Sequence, residues 1–251
     1  MNPRILAATT GRILRQLRHD RRTVALLVVV PGLLLTIVYH MYVDQPVPPG
    51  RPSPFDRVAL IMLGVFPFLI MFLVTSIAML RERTSGTLER LLTTPLNRLD
   101  LLFAYGLAFG LAAAGQAAIA SAVAYWVFGL TTAGNSALVI AIAVVDAVLG
   151  VALGLLCSAF ARTEFQAVQF MPVVVVPQLL LCGLFVARGQ MAGWLQAVSD
   201  VLPLSYAVEA LQEVGAHAEP TATLWRDLAV VAGAVVLALV LAAATLRRRS
   251  G

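Results

Sequence analysis

The 251-residue chain offers few side chains for covalent chemistry. All eighteen of its basic residues are arginine. A Gly-x-x-x-x-Gly-Lys loop, whose lysine reaches the outer phosphates of a nucleotide, therefore cannot form. Neither Gly-x-Ser-x-Gly nor His-Glu-x-x-His occurs, which removes the serine-hydrolase turn and the helical zinc site. His19, His40 and His217 stand at three different depths of the hydropathy pattern and do not converge on a metal. Cys157 and Cys182 fall in separate apolar runs and imply no disulfide framework. The expectation is a chain with no catalytic residues and no metal, and not an enzyme.

One carboxylate stands inside an apolar run: Asp146, in Ala143-Val144-Val145-Asp146-Ala147-Val148-Leu149-Gly150. A charge within a membrane costs several kcal/mol by most scales and marks a functional candidate. Gly150, Gly154 and Ser158 follow it at spacings of four and make a ridge of small residues suited to close helix packing. Two readings stand. Either the carboxyl is hydrogen-bonded to a neighbouring helix or lies near the outer interface, or it serves proton coupling or substrate binding. Gly106 and Gly110 form a similar packing face. Pro67, Pro172 and Pro177 free backbone carbonyls within apolar runs. They are either tolerated kinks or bends around a substrate path, with Phe68, Phe72 and Thr75 on one run and Gln169, Pro172 and Gln178 on another as its candidate lining.

These groups need a scaffold, and composition names its class. Hydrophobic residues make up 60% and charged residues 12% of the chain, with a mean hydropathy of +0.88. That leaves too little polar surface for a water-soluble domain. The fold class expected is an all-α integral membrane protein with six transmembrane helices, at about 23–43, 58–80, 99–128, 136–161, 165–187 and 225–246. Residues 1–22 read as an amphipathic interfacial helix. Ile5, Leu6, Thr9, Ile13 and Leu17 lie on one side of it, and Arg4, Arg15, Arg18 and Arg22 on the other. Residues 23–251 form the membrane domain. The apolar run from Thr23 to Val43 is long for a signal sequence and has no cleavage site after it. A proline-rich extended loop, Asp44 to Pro54, joins the first two spans.

Arginine placement sets the orientation. With the N-terminus inside, the inner side carries the six arginines before residue 23, then Arg81, Arg83, Arg90, Arg98, Arg162 and Arg247 to Arg249. The outer side carries only Arg51, Arg57, Arg188 and Arg226. Both termini are then cytoplasmic. Tyr39, Tyr42, Tyr125, Trp126, Trp194, Tyr206 and Trp225 fall near the outer interface as an aromatic belt. The pI of about 9.9 reflects this topology, and no nucleic-acid partner is expected. The outer segment 188–211 contains two short half-apolar pieces, around Trp194 and around Tyr206, which dip into the outer leaflet or cap the bundle.

The polar stretch Arg81 to Arg98 interrupts two apolar runs on the cytoplasmic side. From Gly86 to Thr94 it reads as a short amphipathic helix. Leu88, Leu91 and Leu92 share a face, and Glu89 and Arg90 point away from it. Pro95 stops the helix. Its leucines need either the headgroup layer or another protein.

Glu82-Arg83-Thr84-Ser85-Gly86-Thr87-Leu88-Glu89-Arg90-Leu91-Leu92-Thr93-Thr94-Pro95 resembles the first cytoplasmic loop of ABC-2 type transporter permeases, the family of the daunorubicin-resistance permease. Leu202-Pro203-Leu204-Ser205-Tyr206-Ala207-Val208-Glu209-Ala210-Leu211 is similar to that family's outer segment before the last span. The resemblance covers nearly the whole chain. It implies an N-terminal elbow helix, a cytoplasmic coupling helix at 83–95 and outer re-entrant helices at about 190–211. It further implies two copies of a separate ABC ATPase that bind ATP and Mg2+, a second permease, identical or related, and a location in the bacterial plasma membrane among its lipids. Carried over by position, Glu82, Gly86, Thr87, Leu88, Glu89, Leu91, Leu92 and Pro95 are the ATPase-coupling residues. The expected activity is ATP-driven export of an amphipathic small molecule such as a drug or antibiotic. Export of a lipid, lipid-linked glycan or polysaccharide is the alternative, followed by a proton-coupled carrier using Asp146.

Overall fold

The computed structural model describes residues 3–47, 53–85 and 98–245, with side chains described from residue 6 and, after the second gap, from residue 103. The helices are α1 (Pro3–His19), α2 (Arg21–Tyr42), α3 (Pro54–Thr84), α4 (Arg98–Ala122), α5 (Ser136–Ser158), α6 (Glu164–Leu181), α7 (Gly193–Ser199), α8 (Pro203–Ala216) and α9 (Ala222–Thr245). There is no strand among the described residues. Six of the helices are long and apolar enough to cross a membrane: α2, α3, α4 with the π-turn Val123–Val127 that continues it, α5, α6 and α9. The chain is an all-α membrane protein, as its composition requires.

Local chemistry sets the helix starts. Asp20 caps α2, accepting from the Arg22 and Thr23 amides. Ser53 caps α3 ahead of Pro54, Asn135 caps α5, and Thr163 caps α6. Each supplies a side-chain oxygen to an amide that has no carbonyl one turn back. Helix ends shift by up to four residues from the expected spans, as at α3, with one larger departure. The fifth run is apolar to residue 187, yet α6 stops at Leu181. Gly183 adopts a positive φ of 98°, and the Leu181 carbonyl accepts from the Ser199 and Ser205 hydroxyls at 2.9 and 3.4 Å instead of from a further helical amide.

The centre of the bundle is a seam between α3 and α5. Gly150 and Gly154 of α5 sit directly on the backbone of α3. A Cβ on Gly150 would come within 2.3 Å of the Phe68 carbonyl oxygen, and one on Gly154 within 2.6 Å of the Phe72 carbonyl oxygen. The small-residue ridge is thus a backbone-to-backbone contact. The second glycine pair differs. Among the described residues nothing lies within 4 Å of the Cβ position at Gly106, and only Val148 at 3.8 Å approaches Gly110. The expected close contact at these two glycines is not found among the described residues; α4 is buried instead through Ala104, Ala108, Ala113 and Ala117, with Tyr105 and Phe109.

α8 runs antiparallel to α3 and is buried along it. Gly215 faces Leu60, while Leu211 and Val208 face Gly64. At 1.5 Å per residue its start at Pro203 lies roughly 18 Å along the helix from Gly215. The α4–α5 connection is sewn to the far end of α8, where Ala133 and Gly134 donate to the Gly215 and Val214 carbonyls at 3.1 and 2.9 Å. It is also sewn to α3, where Asp56 accepts from the Thr131 amide at 3.1 Å and hydroxyl at 2.6 Å. Tyr39, Phe55 and Phe128 stack beside this corner.

Candidate functional site

Of the eight proposed coupling residues, Glu82 belongs to α3. Gly86, Thr87, Leu88, Glu89, Leu91, Leu92 and Pro95 lie outside the described residues. Glu82 sits in the last turn of α3, and its surroundings fasten that turn to three other helices. Its carboxylate is 3.8 Å from the Arg12 guanidinium of α1, and the same guanidinium donates to the Tyr105 hydroxyl of α4 at 3.2 Å. Thr10 of α1 donates to the Ala104 carbonyl. One residue earlier, Arg81 donates through two nitrogens to both oxygens of Glu164 on α6, at 2.7 and 3.1 Å. Such a fork-to-carboxylate pair fixes direction as well as distance. The chain thus leaves α3 toward residue 86 from an end anchored to α1, α4 and α6.

Sequence reasoning missed Arg12, Tyr105 and Glu164. One signal was present. Arg12 follows Ile5 by seven residues, so it belongs to the apolar side of α1 and not with the other arginines. A guanidinium on that side needs a buried partner. At the start of α2, the Thr23 hydroxyl and amide hold the Asp20 carboxyl below its ordinary value of 3.8.

The six candidates for a substrate path are not brought together. Phe68, Phe72 and Thr75 are fully buried within the chain, on the side of α3 that meets Gly150 and Gly154. In this structure they pack within the chain at the seam. Gln178 is also buried. It donates to the Val174 carbonyl at 3.0 Å and accepts from the Leu204 amide at 3.3 Å, so it caps the start of α8. Gln169 and Pro172 are exposed on α6, in a face continued by Phe165, Val173 and Leu180.

Asp146 stands midway along α5, fully buried, near Gly64 and the Leu211 and Val208 side chains that also approach Gly64. Neither carboxyl oxygen has a hydrogen-bond partner among the described residues. The expected bond to a neighbouring helix is therefore not found, and the position is central, not interfacial. α3 passes here as the glycine-bearing wall of an apolar site.

The opposite end of the bundle carries a charge network. Arg188 pairs with both Asp200 and Glu209 and lies 4.8 Å from the centre of the Tyr206 ring. Arg226 reaches Glu209 at 3.6 Å and Asp227 at 2.7 Å. The Tyr206 hydroxyl donates to the Asp200 carbonyl at 2.7 Å. The loop after α6, the end of α7, α8 and the start of α9 are thereby joined. Trp126, Trp194 and Trp225 are exposed, amphipathic side chains of the kind that settle at headgroup level.

A helical membrane protein whose long second span is anchored at one end to an N-terminal helix, and whose other end is closed by a buried half-length helix, is the class that these features define. The sequence matches the profile of the ABC-2 type transporter family over residues 4–214, and the chain belongs to that family. It is 28% identical over 156 residues to the probable multidrug ABC transporter permease YbhR of Escherichia coli, an alignment covering 62% of this chain and 42% of that protein. It is 28% identical over 138 residues to the linearmycin resistance permease protein LnrN of Bacillus subtilis, covering 55% and 36%. It is 26% identical over 167 residues to ABC transporter G family member 20 of Dictyostelium discoideum, covering 66% and 23%. The matches span less than half the length of each of these relatives.

Proposed function

We propose that the chain is the membrane permease of an ATP-driven exporter of amphipathic small molecules, with ATP and Mg2+ bound by a separate ABC ATPase. Family membership supports the class. Two relatives, a probable multidrug permease and a linearmycin resistance permease, favour drug-like cargo over glycan. The observation that carries the mechanism is the anchored end of α3. An ATPase that closes on ATP must push on something that does not yield. The stretch 86–95 leaves a helix tied to α1 and α4 through Glu82, Arg12 and Tyr105 and to α6 through Arg81 and Glu164.

In this reading residues 83–95 are the coupling helix. Leu88, Leu91 and Leu92 enter a cleft of the ATPase, with Gly86, Thr87, Glu89 and Pro95 shaping the helix. α1 is the elbow helix on the cytoplasmic surface, and α7 and α8 are re-entrant. Displacement of α3 carries α5 with it across the glycine seam, because the two backbones are in contact. A second permease, identical or related, covers the exposed face of α6, and cargo passes along Gln169 and Pro172 on that face. ATP binding shifts the transporter only by favouring one of its states over the other.

The test is Leu88→Glu with Leu91→Glu in the complex reconstituted with its ATPase. Transport is expected to fall at least tenfold while the permease still inserts. Undiminished transport overturns the coupling assignment. Nucleotide-independent transport by the chain alone in vesicles overturns the exporter reading.

A further inference from the structure

An open cleft of about 1070 Å³ lies between α1, α2, α3 and α4 at the anchored end of α3, and the anchoring residues Arg81, Glu82 and Tyr105 form part of its wall. Its lining is sorted by polarity along α3. Leu73, Val74, Ile77 and Ala78 line one stretch, with Leu26 of α2 and Ile13 and Leu17 of α1 around them. Arg81, Glu82, Thr84 and Ser85 line the next, joined by Gln16, Asp20, Arg22 and Thr23. From Leu73 to Ser85 the cleft runs roughly 18 Å at 1.5 Å per residue. Leu26 is 47% exposed and continues into Val29 and Leu33, exposed apolar residues on α2. The apolar part of the cleft is therefore continuous with a surface that lies in hydrocarbon.

The charges at the polar part are unequal in availability. Arg81 is engaged by Glu164, and Glu82 stands beside Arg12. The Asp20 carboxylate is occupied by the Thr23 hydroxyl and the Arg22 and Thr23 amides. The Arg22 guanidinium has no ion-pair partner among the described residues and is exposed at the rim. Arg18 and Arg21 are its neighbours in the chain.

We propose that this cleft binds a phospholipid with an anionic headgroup, drawn from the surrounding bilayer. The phosphate and headgroup lie at Arg22, and one acyl chain lies between α2 and α3 along Leu26, Leu73, Val74 and Ile77. Zwitterionic lipid fits the apolar part equally and brings the same phosphate, but its ammonium offsets that charge beside the guanidinium, so the preference for anionic lipid rests on Arg22. The lipid fills the wedge between the N-terminal helix and the end of α3. Its presence is coupled to how firmly that end is held. The site does not depend on the exporter reading, since it is tested by binding alone.

The experiment uses the full-length purified chain in detergent, offered phosphatidylglycerol and phosphatidylcholine bearing a photoactivatable group on one acyl chain. Cross-linked peptides are then mapped by mass spectrometry. Phosphatidylglycerol is expected to label residues 23–30 and 73–81 at least fivefold more than phosphatidylcholine does. Arg22→Gln is expected to abolish that preference while leaving apolar labelling in place. Ala78→Trp, which fills the cleft, is expected to remove labelling there but not on α9. Should Ala78→Trp fail to fold, Leu26→Trp fills the cleft from the α2 side with the same expected loss. Uniform labelling of all exposed helices, or equal labelling by the two lipids in the unaltered chain, overturns the proposal.

Discussion

Two pairs of glycines at the same spacing have opposite fates. Gly150 and Gly154 bring α5 onto the backbone of α3, so close that a single methyl group would overlap a carbonyl oxygen. A Cβ at Gly106 or Gly110 on α4 would meet almost nothing among the described residues. Both pairs read alike in the sequence as packing faces. Spacing permits close approach, but only the facing residues cause it. Phe68 and Phe72 are fully buried, and their carbonyls meet α5. Opposite Gly110 stands the Val148 side chain, 3.8 Å from the Cβ position, and no backbone.

Breaking the seam has the largest expected effect. Gly150→Ala and Gly154→Ala each place a Cβ against backbone that cannot rotate away, so the helices must separate. Overpacking of this kind costs about 1–3 kcal/mol or more. Thermal unfolding in detergent is expected to shift down for both and further for Gly150→Leu. An unchanged midpoint for Gly150→Ala would mean that the backbones are not in contact. Next comes Gln178→Leu, which removes the acceptor for the Leu204 amide at the start of α8. A buried amide left without a partner costs about 1–3 kcal/mol, and hydrogen exchange is expected to accelerate at the first turn of α8 before any other helix responds.

Asp146 sharpens the comparison from within the tight region. It touches the seam but bonds to nothing described, so Asp146→Asn is expected to leave assembly and transport within twofold of the unaltered chain. Loss of transport with normal assembly would give this carboxyl a functional role. Asp20→Ala removes the α2 cap, at about 1 kcal/mol. Because the folded carboxyl titrates below its ordinary value of 3.8, its contribution is complete at neutral pH and is lost only as pH falls through the lowered value. A midpoint difference between Asp20→Ala and the unaltered chain is thus expected to persist from pH 7 to 5 and to shrink in stronger acid. Smallest is Gly106→Ala, expected to shift the midpoint by no more than the helix-propensity gain of about 1 kcal/mol. A large loss in the assembled complex, with no loss in the isolated chain, would reveal that this pair packs against a partner.

Much of the architecture was legible from hydropathy alone. Apolar runs of about twenty residues correspond to six long helices, and Ser53, Asn135 and Thr163 stand where caps are needed. The candidate site was less legible. Phe68, Phe72 and Thr75 read from the sequence as candidates for a path, and the fold buries all three within the chain. Glu82 was singled out through its motif, but its partners Arg12 and Tyr105 lie 70 and 23 positions away in the sequence. No local pattern links them. Gln178 reads from the sequence only as a path candidate, since the return of α8 into the bundle is what brings the Leu204 amide that it caps.

The sequence by itself determined the solvent, the number of long helices and the family. Those follow from composition, from the length needed to satisfy every backbone group in hydrocarbon and from a contiguous polar motif. Tertiary structure decided which glycines meet a backbone, which aromatics face inward and which charges hold the end of α3. Those outcomes depend on residues far apart in the chain arriving at one place, and pairwise contact is a property of positions in space that spacing along a helix does not contain.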